Sequence, residues 1–379
     1  MSTNLQQRQV FSSDRNVLEA ARERIAAVFD DFENICVSIS GGKDSTVLAH
    51  LAGAEAKRRG RKIKVFFLDE EVDYQNTIKQ VQHILFEMYP DNIVPVWFQL
   101  PFHLTNATSL TESQLVAWEP GKSSVWMRRK DKRAIKHWPY EGKLKIANKV
   151  KGFGFYDVIG NFEANQECSC FFVGLRADES LHRWRAVTRN PGHKDWCWTT
   201  KAEGEGNIKA YPLYDWSFMD VWRYIHDEKL QYNKIYDWMY KRGVPLLEMR
   251  ISSLIHERSF KAICELPEFE PDTYDKLVRR IKGIATANLY GKTPQLLRCN
   301  KRPKAYKTWA EYRDFLLATY PDKDKRPIFE KRFAKHLQNE YVARQQCRQI
   351  MLNDYENNLP IDNSVGAREE TIRKWMAVL

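Results

Sequence analysis

No hydrophobic run in this 379-residue chain approaches the roughly 20 residues needed to span a bilayer. The opening residues, Met-Ser-Thr-Asn-Leu-Gln-Gln-Arg, are not followed by the apolar stretch of a secretory signal. Together these absences point to a soluble, cytoplasmic protein with no membrane partner. Cysteine is sparse as well. There are seven, and the closest pair, Cys168 and Cys170, lacks a second pair at the spacing of a zinc or iron–sulfur site. Reduced structural thiols are therefore expected, without a disulfide framework or an iron–sulfur cluster. Acidic side chains are outnumbered, 49 against 60 Lys and Arg, and the formal net charge of +11 favours polyanionic partners without choosing among them. Internal repeats and low-complexity tracts are absent, and 43% hydrophobic residues exclude a largely disordered chain.

What is present is an alternation of helical and strand patterns. Residues 13–33 carry Val17, Ala20, Ala21, Ile25 and Val28 at helical spacing, with Ser13 placed to cap them. Ile35 to Ile39 is a short apolar run of buried-strand type, and a helix is expected over about 44–59. A strand over 64–69, a helix over 74–88 and a strand over 93–98 follow with short connections. That order predicts an α/β fold, a parallel sheet wrapped by right-handed crossovers. The pattern resumes at Phe171 to Leu175, with an edge strand expected at 208–212 and a helix over 217–229.

Between about 100 and 165 the periodicity fails. From Gly121 to Gly152 there are eleven Lys or Arg against two acids, with Trp126 and Trp138 interleaved. This reads as a basic insertion in a nucleotide-binding domain spanning 1–245, able to contact nucleic acid through stacked tryptophans, or an acidic protein. The alternative is a solvated lid. Residues 246–379 read as a helical, charged C-terminal region with Trp309, Tyr312, Phe315 and Leu316 as its apolar stripe.

The chemistry concentrates at Ser40-Gly41-Gly42-Lys43-Asp44-Ser45-Thr46, between the Ile35 to Ile39 strand and the helix after it. A strand that turns into a helix at two glycines presents unpaired N–H groups and the positive end of the helix dipole, which is where an anion is held best. Gly41 and Gly42 allow close backbone approach. Ser38, Ser40, Ser45 and Thr46 supply hydroxyls, and Lys43 a cation. Asp44 either caps the helix or helps hold a magnesium ion carried by a nucleotide. This is not the Walker A pattern, which puts four residues between its first Gly and its Gly-Lys.

The motif resembles the PP-loop of the N-type ATP pyrophosphatases, whose adenine nucleotide alpha hydrolase fold is a doubly wound parallel sheet. Gly174-Leu175-Arg176-Ala177-Asp178-Glu179-Ser180-Leu181-His182-Arg183 is similar to a segment of phosphoadenosine phosphosulfate (PAPS) reductases. So are Tyr211 to Ser217 and Tyr232 to Asp237. The resemblance implies that Lys43, Asp44, Arg176 and Arg183 do the chemistry on an adenine nucleotide. It also implies that Gly174 and Asp69 border it. Two guanidiniums past a strand can fork onto phosphate or sulfate oxygens; the alternative is that Arg176 and Arg183 pair with Asp178 and Glu179. For Asp69 the alternative is a capping carboxylate.

The resemblance stops at the reductase cysteine. No Glu-Cys-Gly-Leu-His segment exists, and Cys264, Cys299 and Cys347 stand in unrelated surroundings. Cleavage of ATP between the α and β phosphates, with transfer of adenylate, is the leading expectation, with ATP (or APS or PAPS) and Mg2+ as cofactors. A PAPS reductase with a relocated thiol, at Cys168 or Cys170, is the first alternative. The segment after Gly243 resembles a branch often encoded beside ParB-like partners. It implies the second alternative, a nucleotide-dependent regulator that binds nucleic acid or a protein.

Overall fold

The computed structural model describes residues 15–109, 112–141, 145–146, 153–165, 168–179, 181–187, 191–256, 260–290, 302–364 and 375. Ser13, Ser180 and Cys299 lie outside them.

The first helix is α1, Val17–Asp31, and its cap is Asn16, whose side chain accepts from the Glu19 N–H at 2.9 Å. The expected strands and helices follow: β1 (Ile35–Ser38), α2 (Lys43–Arg58), β2 (Ile63–Leu68), α3 (Gln75–Phe86) and β3 (Ile93–Phe98). Later come β6 (Cys170–Val173), β7 (Thr199–Lys201), β8 (Ile208–Ala210), α6 (Phe218–Asp227) and α7 (Ile235–Lys241). Between these groups lie β4 (Phe102–Thr105), β5 (Gln114–Ala117), α4 (Phe155–Ala164) and α5 (Leu181–Val187).

Six strands form one sheet in the order β3-β2-β1-β6-β8-β7, parallel except for β7. The edge strand on the β8 side is therefore β7 and not the 208–212 segment, because Thr199–Lys201 pairs antiparallel with β8 and covers it. Strands Ile35–Ser38 and Ile63–Leu68 are hydrophobic nearly throughout because both faces of the sheet are covered. Val37, Val65, Phe172, Val47, Leu48 and Leu213 belong to one buried core. The sheet runs outward from β1 through β2 to β3 and resumes on the other side at β6. The gap between the ends of β1 and β6 is thus the topological switch point, where open sheets of this kind bind ligands.

The chain divides into two compact units. One comprises residues 1–100, 129–145 and 155–251; the other comprises 101–128, 146–154 and 252–379. The segment expected as a single insertion over 100–165 is thus shared between them, and the division after the sheet falls at Ile251. Long-range hydrogen bonds give the reason. In the first unit Ile135 donates to the Trp97 carbonyl at 2.7 Å, and Gln99 donates back to Ile135 at 2.9 Å. In the second, the hairpin of β4 and β5 is held by Arg280, which donates to the Val116 carbonyl at 2.8 Å. There the buried Asn353 side chain donates to the carbonyls of Asn106 and Ser109, each at 2.7 Å.

The second unit is helical, with Trp309–Ala318, Arg326–Phe333 and Glu340–Met351 around Tyr320, Phe329, Phe333, Val342 and Tyr355. The stripe expected at Trp309, Tyr312, Phe315 and Leu316 is not a buried one, since no residue of that helix is buried and Phe315 is exposed. Among the described residues no helix is long and apolar enough to cross a membrane.

Candidate active site

The turn after β1 is built by the glycines. Gly41 sits at φ +69°, and a Cβ there would lie 2.9 Å from Thr77 Cγ2, so both conformation and space call for glycine. Gly42, extended at φ −86° and ψ 170°, is the residue that caps α2, with no side-chain bond. Asp44 therefore lies in the first helical turn and is not the cap. Among the described residues the N–H groups of Gly41, Gly42, Asp44 and Ser45 take no hydrogen-bond partner, which leaves the cradle its donors.

The hydroxyls do something else. Ser45 Oγ and Thr46 Oγ1 both donate to the Gly42 carbonyl, at 3.1 and 2.9 Å, and the Ser40 N–H donates to Ser45 Oγ at 3.2 Å. Thr46 is fully buried and also accepts from Gln80 at 3.3 Å. These side chains lock the turn from behind. Ser38 ends β1 half-buried, and Ser40 is exposed at the turn.

The cations converge. Lys43 is buried, with its ammonium 2.9 Å from Asp44 and over the rings of Phe218 and Tyr236, 5.3 and 5.4 Å from their centroids. Arg176, from the turn after β6, donates Nε to the other Asp44 oxygen at 2.6 Å and reaches Asp178 at 2.8 Å and Glu179 at 3.4 Å. Burial works against the Arg176 charge, but Asp44, Asp178 and Glu179 more than offset it and raise the group above its ordinary range. Arg183, half-exposed, pairs with Glu179. Both arginines thus make the carboxylate pairing offered as the alternative, although the Arg176 pairing is deep in the site and not on the surface. Asp44 is bonded through both oxygens, to Lys43 and to Arg176. Among the described residues no group of three or more His, Cys, Asp or Glu could hold a metal ion.

Gly174 contributes by its absence of a side chain. A Cβ there would lie 3.2 Å from the Asp44 carbonyl carbon and the Ser45 nitrogen, so β6 ends directly against the first turn of α2. Asp69 stands apart. It is fully buried, and it accepts from Trp97 Nε1, Gln99 Nε2 and the Glu71 N–H, each at 2.9 Å. That is the structural capping role, and Asp69 does not line the pocket.

A small pocket of about 60 Å³ lies at this switch point, lined by Lys43, Arg176, Asp178, Glu179, Phe218, Leu246, Met249 and Arg250. Sequence reasoning missed the last four. It also missed Tyr236, whose hydroxyl accepts the Lys43 N–H at 3.1 Å, and Asn233, which donates to the Gly41 carbonyl at 3.2 Å. The signal for these two was the Tyr232 to Asp237 segment, recognised without roles. Burial pushes the Tyr236 phenol far above its usual range, so it stays neutral and can accept that bond.

None of the six described cysteines lines the pocket. Burial raises the Cys170 thiol, and burial with the neighbouring Cys168 raises that of Cys36. Three cations of the basic stretch are engaged locally. Lys122 pairs with Glu119 at 3.0 Å, Arg133 with Asp131 at 2.8 Å, and Arg128 lies over Trp118 at 5.2 Å. Trp126 packs on Trp118, and Trp138 on Phe98 and Tyr140.

The family model for the phosphoadenosine phosphosulfate reductase domain matches residues 108–243, and one for a domain of unknown function, DUF3440, matches 243–340. The chain is 31% identical over 318 residues to the uncharacterized protein YbdN of Escherichia coli (strain K12), covering 81% of this chain and 76% of that protein. It is 26% identical over 204 residues to an adenosine 5'-phosphosulfate reductase of Oceanobacillus iheyensis, covering 54% of this chain and 66% of that one. The crystal structure of a PAPS reductase from Candida auris with phosphate aligns at 15% identity and a TM-score of 0.33, over 64% of this chain and 96% of that chain.

Proposed function

We propose, for a chain that belongs to the PAPS reductase-like branch of the PP-loop superfamily, that it cleaves ATP between the α and β phosphates and transfers adenylate. The observation that carries this reading is the meeting of Lys43, Arg176 and the unpaired amides of Gly41, Gly42, Asp44 and Ser45 at one switch point. Adenylate transfer needs little covalent help from protein. It needs a clamp on the departing pyrophosphate and a positioned acceptor.

The amides and the helix dipole hold phosphate oxygens, and Lys43 and Arg176 exchange their bonds to Asp44 for bonds to phosphate. Arg183 does the same from Glu179. Magnesium would arrive with the nucleotide as part of the substrate and neutralise phosphate charge, while Lys43, Arg176 and Arg183 would hold phosphate oxygens. The burial of Cys36, Cys168 and Cys170 speaks against reduction at a relocated thiol, which requires a reachable thiolate.

Incubation with ATP and magnesium should release pyrophosphate, while PAPS with a thiol donor should release no sulfite. Sulfite without pyrophosphate overturns the proposal. A role with nucleic acid or a ParB-like partner adds to this reading only if binding depends on the 121–152 charges.

A further inference from the structure

Beneath the Lys43 ammonium the cradle holds a buried hydroxyl whose proton is not spent. Tyr236, at the start of α7, is 3% exposed. Its hydroxyl accepts the Lys43 N–H at 3.1 Å and faces Gly42, where a Cβ would lie 3.3 Å from it. A phenol that accepts one hydrogen bond still has its own proton to give. Among the described residues nothing accepts that proton.

The neighbours of Tyr236 fix it in this position. The Asn233 carbonyl takes the Tyr236 N–H at 3.2 Å, and the Asn233 side chain donates to the Gly41 carbonyl, also at 3.2 Å. Trp222 stands edge to face with the Tyr236 ring, the centroids 5.3 Å apart. The start of α7 is thus tied to the turn through its backbone and braced through its ring.

We infer that Tyr236 contacts the ligand of the cradle, its O–H donating to an oxygen of the phosphate that the neighbouring amides hold. The inference rests on the reading of the turn as a nucleotide phosphate cradle and adds a donor to it.

Three features carry it. Lys43 N–H is the first of the helix, one of the donors that a helix N-terminus turns toward an anion. An oxygen bonded to it therefore stands beside the amides of Gly42, Asp44 and Ser45, which take no partner among the described residues. A buried O–H without an acceptor is unfavourable, and an anion seated on those amides removes the cost. The groups that would hold the ligand, the amides with Lys43 and Arg176, are all donors, and such a set takes a ligand whose oxygens only accept, as an ionised phosphate does. Burial, with Asp44 adding to it, keeps the phenol protonated, so Tyr236 gives a hydrogen bond and no proton leaves it. Its ring lies under Lys43, so the contact forms as the ammonium passes from Asp44 to phosphate.

The test replaces Tyr236 in the full chain by phenylalanine and, through site-specific incorporation, by 3-fluorotyrosine, and titrates each with α,β-methylene-ATP and with inorganic pyrophosphate. Tyr236→Phe should weaken the analogue about ten-fold. Fluorination makes the phenol a stronger donor and a weaker acceptor. An O–H given to phosphate should therefore tighten the analogue about two-fold, whereas a hydroxyl that only accepts the Lys43 N–H should loosen it. Analogue binding that fluorination leaves unchanged or loosens, or that Tyr236→Phe does not weaken, overturns the contact and leaves the ATP reading standing. Pyrophosphate binding with the expected dependence on residue 236, in a chain that does not bind the analogue, keeps the contact and sinks the ATP reading. A chain that binds neither probe overturns both.

Discussion

The cradle at 40–46 and the basic stretch at 121–152 both look in sequence like places for a polyanion, and the structure treats them oppositely. At the cradle, residues 132 positions apart converge: Asp44 of α2 and Arg176 after β6 meet at 2.6 Å, with Lys43 on the other Asp44 oxygen. The basic stretch is divided between two compact units, and three of its described cations are engaged locally: Lys122 on Glu119, Arg128 on the face of Trp118, and Arg133 on Asp131 and the face of Phe86. Charge density along a sequence is therefore a weaker sign of a binding site than the meeting of a few buried charges across a sheet.

The largest effect expected from this contrast is at Arg176. Arg176→Ala removes one of the two buried partners of Asp44 and the most buried partner of Glu179, and should cost about 3 kcal/mol in urea unfolding. It should also lower nucleotide affinity in calorimetry by about a hundred-fold or more. Arg176→Lys should fall between, since it keeps the charge but not the fork. Normal nucleotide binding by the alanine variant breaks the comparison outright.

Next is the turn itself. Gly41→Ala must hold φ +69° against Thr77 and should cost about 1–2 kcal/mol with weaker nucleotide binding. Gly42→Ala, at φ −86°, should be milder in unfolding and felt mainly in affinity. Equal stability losses at the two positions would mean that the left-handed conformation is not what selects glycine at 41.

A smaller effect is expected at Tyr236→Phe. It removes the acceptor of the Lys43 N–H and should destabilise by about 1 kcal/mol without abolishing the pocket. A wild-type unfolding midpoint would show that the hydroxyl contributes nothing to the helix terminus.

In the basic stretch, the Arg133 side chain beside Asp131 is the main cause holding that carboxyl down to about 2. A carboxyl lowered by folding stabilises above its unfolded pKa, so this contribution is complete above about pH 4 and lost as pH falls toward 2. Arg133→Gln should shrink the acid-induced loss of stability in that window while leaving neutral-pH nucleotide binding alone.

The smallest expected change follows neutralisation of Arg128, Arg129, Lys130, Lys132 and Arg133 together. Calorimetry should find ATP affinity within about two-fold of wild type, and any binding of single-stranded nucleic acid should show a flatter salt dependence. A large loss of ATP affinity in that variant makes the stretch a lid and erases the contrast.

Much of the sheet could be read beforehand. The apolar runs expected at 35–39, 64–69 and 93–98 hold β1, β2 and β3; β1 and β2 are apolar nearly throughout because both their faces are covered, while β3 at the sheet edge exposes Val94 and Pro95. The site was half legible: Gly41, Lys43, Asp44 and Arg176 meet, whereas Asp69 and Thr46 turn inward to structural bonds. Short three- and four-residue strands such as β7 and β4 carry too little periodicity to be seen, so the true sheet edge was missed.

By itself the sequence determined the order of strands and helices, the need for glycine at the turn and the placing of the chemistry after β1. These are local consequences of backbone sterics and of side-chain period, and they need no distant partner. Only the tertiary structure decided what Arg176 and Tyr236 do, because each acts on a residue brought near by the sheet crossover. It also decided that the basic stretch belongs to two units. Which carbonyl Ile135 pairs with and which strand Arg280 reaches are long-range hydrogen bonds, and no window of neighbouring residues encodes them.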